Sequence, residues 1–356
     1  MDELIASLTA ASHPPIQLFG KGGSLLILPH GGRTLGLYNR DGHNFFWVNP
    51  DLNHVTTAES FFTKEGWKNS GGDRTWVSPE VELFISDIEN PGETYQVPSS
   101  LDPGNYTVQH GKGQVTLTNR ARVILNRQEK TSEIELSKTI RMAQNPLRYE
   151  RSMASPNRQL QFVGYEQLTS LRLVSAEEPG IRLGIWNLVQ VPAGGEIVIP
   201  TVRESAPKTY FGGDGASDLY VSPESIRFPV DAKHSHKIGV RAATTSGRIG
   251  YLRNIGDGQK TLVVRNFLVA PSAEYVDVPW DDLDDFGYAI QCYNDNGDLG
   301  EFGEMEYHTP AIGDGTGMCS YQDRSQVWAF LGDAQPVNEV FTQLLGVAPN
   351  SSGSKG

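Results

Sequence analysis

Ser132-Glu133-Ile134-Glu135-Leu136-Ser137-Lys138-Thr139-Ile140-Arg141 alternates polar and apolar residues almost without a break. Successive side chains of an extended strand point to opposite faces, so this stretch predicts a half-buried β-strand. The same period-two pattern stands just upstream, in Gln114-Val115-Thr116-Leu117-Thr118. Nearer the N-terminus come compact apolar runs, Ser24-Leu25-Leu26-Ile27-Leu28, Arg33-Thr34-Leu35-Gly36-Leu37 and Phe45-Phe46-Trp47-Val48. His30-Gly31-Gly32 and Asn39-Arg40-Asp41-Gly42 separate them and read as turns. Downstream, strand patterns recur at 162–166, 168–174, 181–191, 196–202, 218–221, 237–242, 261–269, 274–278, 286–293, 303–308 and 327–331. Helical patterning is confined to residues 2–11 and to Val337–Leu345. No repeat appears at solenoid or propeller spacing. The fold class is therefore all-β: a large sandwich of two antiparallel sheets packed face to face. No composition break divides the chain. We expect a lead-in over 1–15, one sandwich domain over 16–348 and a disordered Ser/Gly-rich tail over 349–356.

The 356 residues are 38% hydrophobic and 20% charged, enough for a large core. The 38 glycines and 21 prolines fit a turn-rich chain. A formal charge of −12 argues against a nucleic-acid partner, because phosphate binding needs a basic face. Cys292 and Cys319 make neither a disulfide framework nor a metal knuckle, and their apolar surroundings predict buried free thiols. No run is long enough for a membrane helix, and the first residues lack a signal-peptide pattern, which leads us to expect a cytoplasmic protein.

Four stretches carry residues suited to chemistry. In Gly303-Glu304-Met305-Glu306-Tyr307-His308, alternation puts Glu304, Glu306 and His308 on one face. Such a row is either an acid/base wall in a concave sheet or a solvent-facing edge. Two neighbouring carboxylates also raise one another's proton affinity. In Gly71-Gly72-Asp73-Arg74-Thr75-Trp76-Val77-Ser78-Pro79-Glu80, Arg74 and Trp76 share a face. A guanidinium fork and an indole plane suit the hydroxyls and C–H faces of a sugar. Asp73 and Glu80 belong to the same block. Their alternative is a turn clamp beside a core tryptophan. In His234-Ser235-His236-Lys237-Ile238-Gly239-Val240, Lys237 opens an apolar strand that Gly239 leaves uncrowded, where it could partner an oxygen near a carboxylate. Alone it also suits an edge lysine that blocks strand pairing. The His234/His236 pair lacks a third ligand by spacing, so no metal is expected. Asn294-Asp295-Asn296-Gly297-Asp298 only partly matches a calcium loop and reads as a polar turn at a pocket rim. Asn187 and Gln190 fall on opposite faces of another strand. No nucleophile elbow, Walker loop, zinc helix or dinucleotide fingerprint is present, so no cofactor is expected.

Four blocks, Gly-Gly-Arg-Thr-Leu-Gly-Leu (31–37), Gly-Gly-Asp-Arg-Thr-Trp-Val-Ser-Pro-Glu (71–80), Trp-Asn-Leu-Val-Gln-Val-Pro (186–192) and Glu-Met-Glu-Tyr-His-Thr-Pro (304–310), together resemble the galactose mutarotase-like superfamily of aldose 1-epimerases. The likeness is greatest to an uncharacterised branch, a domain of unknown function. It implies a β-supersandwich and a carbohydrate ligand. In the epimerases a late-strand glutamate is the base on the anomeric hydroxyl, a histidine is the acid on the ring oxygen and an early arginine holds the sugar. Carried over, Glu306 or Glu304 resembles the base and Arg74 the sugar-holding arginine. The sequence departs from the pattern at the acid, where His236, Lys237 and His308 stand nearest. The residues and the resemblance together make Glu306, Glu304, Lys237 and His236 the candidate catalytic residues and Arg74, Trp76, Asp73, Glu80, His308 and Asn294 the candidate substrate-binding residues. Three readings remain open: anomeric acid/base chemistry, glycosidic cleavage by hydrolysis or elimination, and carbohydrate binding without turnover.

Overall fold

The computed structural model describes residues 1–150, 160–174, 179–212 and 219–350. The expected tail therefore lies outside the described residues from 351 onward, as does position 218 of one expected strand. Two ten-stranded sheets dominate, and every strand pairing between described residues is antiparallel. The first sheet runs in the order Ile16–Gly20, Gly23–Leu28, Arg33–Asn39, Asp73–Ser78, Arg182–Pro192, Phe302–His308, Ile290–Asn294, His236–Val240, Lys208–Phe211, with the short Ile312–Gly313 strand also paired to Arg182–Pro192. The second runs Tyr220–Val221, Ser225–Val230, Gly195–Pro200, Arg248–Gly256, Gln259–Asn266, Ser320–Asp333, Leu160–Leu173, Lys130–Met142, Gln114–Leu125, Thr107–Gly111.

The opening pattern holds as a strand, Lys130–Met142, whose buried and more exposed residues alternate as the sequence does. It sits between Gln114–Leu125 and Leu160–Leu173. Its inward residues meet those of the first sheet in a core that includes Leu25, Leu117, Ile140, Val163, Val189 and Met305. The central strands of the first sheet behave differently. Asp73–Ser78, His236–Val240 and Phe302–His308 are buried at every position. Both of their faces are covered, which removes the alternation an exposed face would show. This excludes the solvent-facing-edge reading of Glu304, Glu306 and His308.

Helices close the outer faces. Ala334–Leu345 lays Val337, Val340, Phe341 and Leu344 on Val198, Leu262, Val264 and Phe330 of the second sheet. Asp2–Ala10 and Val55–Thr63 cover Leu26, Leu28 and Leu35 at one end of the first sheet. The Val55–Thr63 helix has no counterpart among the expected elements, being only nine residues long. Two expected strands are absent. Residues 45–48 hold a single isolated bridge, Val48 with Gly71, and 274–278 form an extended loop outside any ladder. Cys292 is buried as expected. Cys319 is exposed, and both are free, because Cys319 lies just before the outer end of the Ser320–Asp333 strand.

Candidate active site

A cavity of about 290 Å³ opens on the outer face of the first sheet, beyond the edge of the helical cover. That is near the small end of ligand pockets. Cross-strand register builds its floor. Gln190, Glu304, Tyr293 and Lys237 form one row across four strands. Arg74, Leu188, Glu306, Gln291 and Gly239 form the next. Trp76, Trp186 and His308 form a third.

The first row fixes Glu304. Its Oε1 lies 2.8 Å from the Arg74 guanidinium and accepts a 2.8 Å hydrogen bond from Gln190 Nε2. The second row holds Glu306, which is fully buried and accepts a 2.8 Å hydrogen bond from Trp186 Nε1 on its Oε2. Lys237 Nζ lies 3.6 Å from that same oxygen and 3.4 Å from Glu80 Oε2. Glu306 Oε1, by contrast, has no hydrogen-bond partner. Glu80 arrives from the short helix Glu80–Leu83 that follows the Asp73–Ser78 strand. Trp280 Nε1 and the Tyr95 hydroxyl donate to it at 3.0 and 3.1 Å. Behind it, Asp277 accepts the Glu80 backbone N–H at 2.7 Å and the Gln291 side-chain amide.

These groups are buried, and that sets their protonation. Burial pushes Glu306 up to about 8, against the pull of Lys237, with Glu304 and Glu80 adding to the rise and the Trp186 hydrogen bond opposing it. Burial likewise raises Glu80 and Asp277. Burial alone would depress the Lys237 ammonium, but Glu306, Glu80 and Asp277 outweigh it and hold it above its usual value. The floor therefore carries a firmly charged ammonium beside a carboxyl that exchanges its proton near neutral pH.

Arg74, Trp76, Glu80, Lys237, Glu304 and Glu306 all line the cavity. Trp76, however, offers no free stacking plane. The Arg74 guanidinium lies 4.1 Å from its ring centroid, and Phe84 and Trp186 pack at 5.0 and 5.3 Å. Its indole N–H and that of Trp67 both donate to Asp102, which is paired at 2.6 Å with buried Arg33. Four expected site residues lie elsewhere. Asp73 is one position out of phase with Arg74 and points between the sheets, where it pairs with Arg265 at 2.9 Å and accepts from the Tyr165 hydroxyl. His236 is out of phase with Lys237 and packs on Phe228 of the second sheet. Asn294 clamps the 231–234 turn by hydrogen bonds to Asp231, Ala232 and His234. His308 is on the cavity side but sits beneath Trp186, stacked at 5.4 Å and 3.9 Å from Asp277, and burial keeps its imidazole well below the usual range and neutral. Of the two polar residues in the 182–192 strand, Gln190 reaches Glu304, while Asn187 bonds Tyr307 on the other face.

Other lining residues were not singled out from sequence: Trp67, Tyr95, Trp186, Phe211, Trp280, Tyr293 and Phe302. Most come from loops and edge strands. A tryptophan inside a polar loop, as in Gly66-Trp67-Lys68 and Pro279-Trp280-Asp281, was the available signal. The Asp295 turn stands at the rim, as expected, with Leu299 facing the cavity. Asp295 Oδ2 accepts the backbone N–H groups of Gly297, Leu299, Gly300 and Glu301, so its carboxylate is spent on the turn. Among the described residues no group of three acidic, His or Cys side chains is placed to hold a metal. No described helix is long and apolar enough to cross a membrane.

Gly239 is not an open gap. A Cβ there would meet Tyr210 at 2.7 Å and Tyr288 at 2.8 Å. Gly239→Ala is expected to cost about 1–3 kcal/mol by overpacking, read from the denaturant midpoint. A cost below about 0.5 kcal/mol would mean that the two rings move aside freely.

A larger open cleft of about 870 Å³ lies across the wall made by residues 79–83 and 276–283. Of its four arginines, Arg127, Arg182 and Arg241 are paired with Glu82, Glu274 and Asp285, while Arg203 bonds the Glu204 carbonyl. Of the two, the smaller cavity gathers a buried proton carrier, Glu306, with one oxygen unpartnered, beside a buried cation.

A family model described as "Family of unknown function (DUF6786)" matches residues 32–351. No curated protein matches the sequence. A solved structure described as a "Putative aldose 1-epimerase", from Escherichia coli K12, is similar over 90% of this chain and 99% of its own, at 10% identity and a TM-score of 0.50. A galactose 1-epimerase from Lactobacillus acidophilus NCFM aligns over 89% of this chain and 93% of its own, at 8% identity and a TM-score of 0.38. The two-sheet sandwich thus shares the fold of that putative aldose 1-epimerase structure.

Proposed function

We propose that this chain, which belongs to the DUF6786 family of unknown function, is a carbohydrate-active enzyme working by acid/base chemistry at a sugar's anomeric centre. The observation that carries this reading is Glu306. One of its oxygens is anchored by Trp186 and Lys237, and the other has no protein partner. A carboxyl held in this way, with its affinity pushed up to about 8, is poised for proton transfer near neutral pH.

In this reading the anomeric hydroxyl docks at Glu306 Oε1, which removes its proton as the ring opens. Charge then develops on the ring oxygen. Lys237 is the cation near enough to Glu306 to stabilise it, since no described histidine lines the cavity. Glu80 orients Lys237, and Arg74 with Gln190 orients Glu304 as an acceptor for a ring hydroxyl. The sugar's C–H faces meet aromatic walls, chiefly the half-buried Trp280, Phe211 and Trp67. Polarimetry or exchange NMR on a panel of free aldoses tests this. Accelerated anomer exchange supports it, and no acceleration with any sugar rejects it.

Binding without turnover is the second reading, favoured by the missing histidine acid. Saturable sugar binding with no exchange would select it. Glycosidic cleavage would appear instead as new products by mass spectrometry on oligosaccharides. In either catalytic case Trp280→Ala is expected to weaken sugar binding by about 1–3 kcal/mol, the scale of a lost aromatic stacking partner. Calorimetric titration checks this, and an unchanged affinity would move the sugar off that wall.

A further inference from the structure

The cavity's carboxyls outnumber its cations. Glu80, Glu304 and Glu306 line it, and Asp277 lies directly beneath Glu80. Against these four carboxyls, of which burial keeps Glu306 protonated up to about 8, stand two cations, each already facing a carboxyl. Arg74 pairs with Glu304, and Lys237 is shared between Glu80 and Glu306. His308 is buried and makes no hydrogen bond from either ring nitrogen. No cation lining the described wall is without a carboxyl partner.

The rest of the wall is aromatic. Trp67, Tyr95, Phe211, Trp280 and Tyr293 turn toward the same space. Aromatic faces joined to carboxylates are the chemistry that holds ammonium ions. The site already uses it once, because the Lys237 ammonium sits 4.7 Å from the Trp186 ring centroid and 5.5 Å from that of Tyr210. A second ammonium, brought by the ligand, would meet the Glu80, Glu304 and Glu306 carboxyls and a ring of π-faces, and would draw off the Glu306 proton.

Resting on the carbohydrate reading above, we infer that the cavity selects an amino sugar in its protonated form and rejects uronates and sugar phosphates. An anionic sugar would bring a further negative charge into a buried site with no free counter-ion, which is costly. The same argument weighs against elimination on uronate polymers, since that reaction needs a cation to neutralise the substrate carboxylate.

The test is a charge series on one ring, measured on the full chain by calorimetry and tryptophan fluorescence. Galactosamine, galactose and galacturonate are titrated at neutral pH, where the amine is largely protonated and Glu306 can release its proton to it, with the gluco series in parallel. Methylammonium and acetate serve as probes that are not sugars. Galactosamine or glucosamine is expected to bind at least about tenfold more tightly than its neutral parent, with no measurable uronate binding. Methylammonium should compete and acetate should not. Glu306→Gln should shrink the amine preference, and Trp280→Ala provides a second variant at a half-buried position. Equal affinity for amine and parent overturns the inference while leaving the sugar reading intact. So does tighter binding of the uronate. Methylammonium binding without binding of any sugar would instead reject the sugar reading and leave the cation selectivity standing.

Discussion

Glu306→Gln is expected to lower the rate of anomer exchange about 100- to 10,000-fold, the usual contribution of a positioned general base. The replacement keeps the shape, and its amide oxygen can still accept from Trp186 Nε1. It removes only the proton-carrying carboxylate. Sugar binding by NMR should therefore survive while turnover does not, a split that simple unfolding would not give. The pH profile adds a signed test. A base must be deprotonated, so wild-type activity should rise as pH climbs through about 8. A proton donor at the same position would instead lose activity over that range. Stability carries the same signature in reverse. Glu306 holds its proton in the folded state well above its ordinary value of 4.5. Its contribution is therefore full below about 4.5 and is lost as pH rises toward about 8. In Glu306→Gln that decline should flatten. An unchanged exchange rate in the variant would exclude Glu306 as the base.

Much of this site was legible because strand parity is a hard rule. Glu304 and Glu306 share a face, as do Arg74 and Trp76, and register brings both pairs to one cavity with Lys237. The misplaced residues break that same rule. Asp73 neighbours Arg74, His236 neighbours Lys237 and Asn294 neighbours Tyr293, so each is one step out of phase with a cavity residue. The alternation that groups the cavity-lining residues was enough to exclude these three. Other features could not be read locally. The strands at the centre of the first sheet are buried on both faces, so their patterning says strand without saying which face matters. The aromatic wall is assembled from residues 67, 95, 211 and 280, which approach only through the tertiary fold. The shielding of Trp76 by Arg74 likewise follows from Asp102, which fixes both the Trp67 and Trp76 indoles from another loop.

Arg265→Met is expected to destabilise the fold by about 3–5 kcal/mol, the cost of stranding a buried charge. Arg265 and Asp73 are both fully buried between the sheets, 2.9 Å apart. Arg265 comes from the second sheet and Asp73 from the first, so the pair ties the two layers together. The guanidinium also lies 4.9 Å from the Tyr307 ring centroid, and Tyr307 donates to Asp323. Lys138, buried nearby with no hydrogen-bond partner, is pushed down to about 8 by burial despite Asp73, with Arg265 adding to the fall. The denaturant midpoint measures the loss. Adding Asp73→Asn removes the stranded carboxylate and should recover part of it, because the penalty belongs to the unpaired charge more than to the missing contact. Asp73 directly precedes Arg74, so the single variant also loosens the strand that positions Arg74 against Glu304. Sugar affinity should fall in Arg265→Met and return in the double variant. A loss below about 1 kcal/mol in the single variant would mean that Asp73 takes up a proton cheaply, and the ion pair would then not be what registers the two sheets beneath the site.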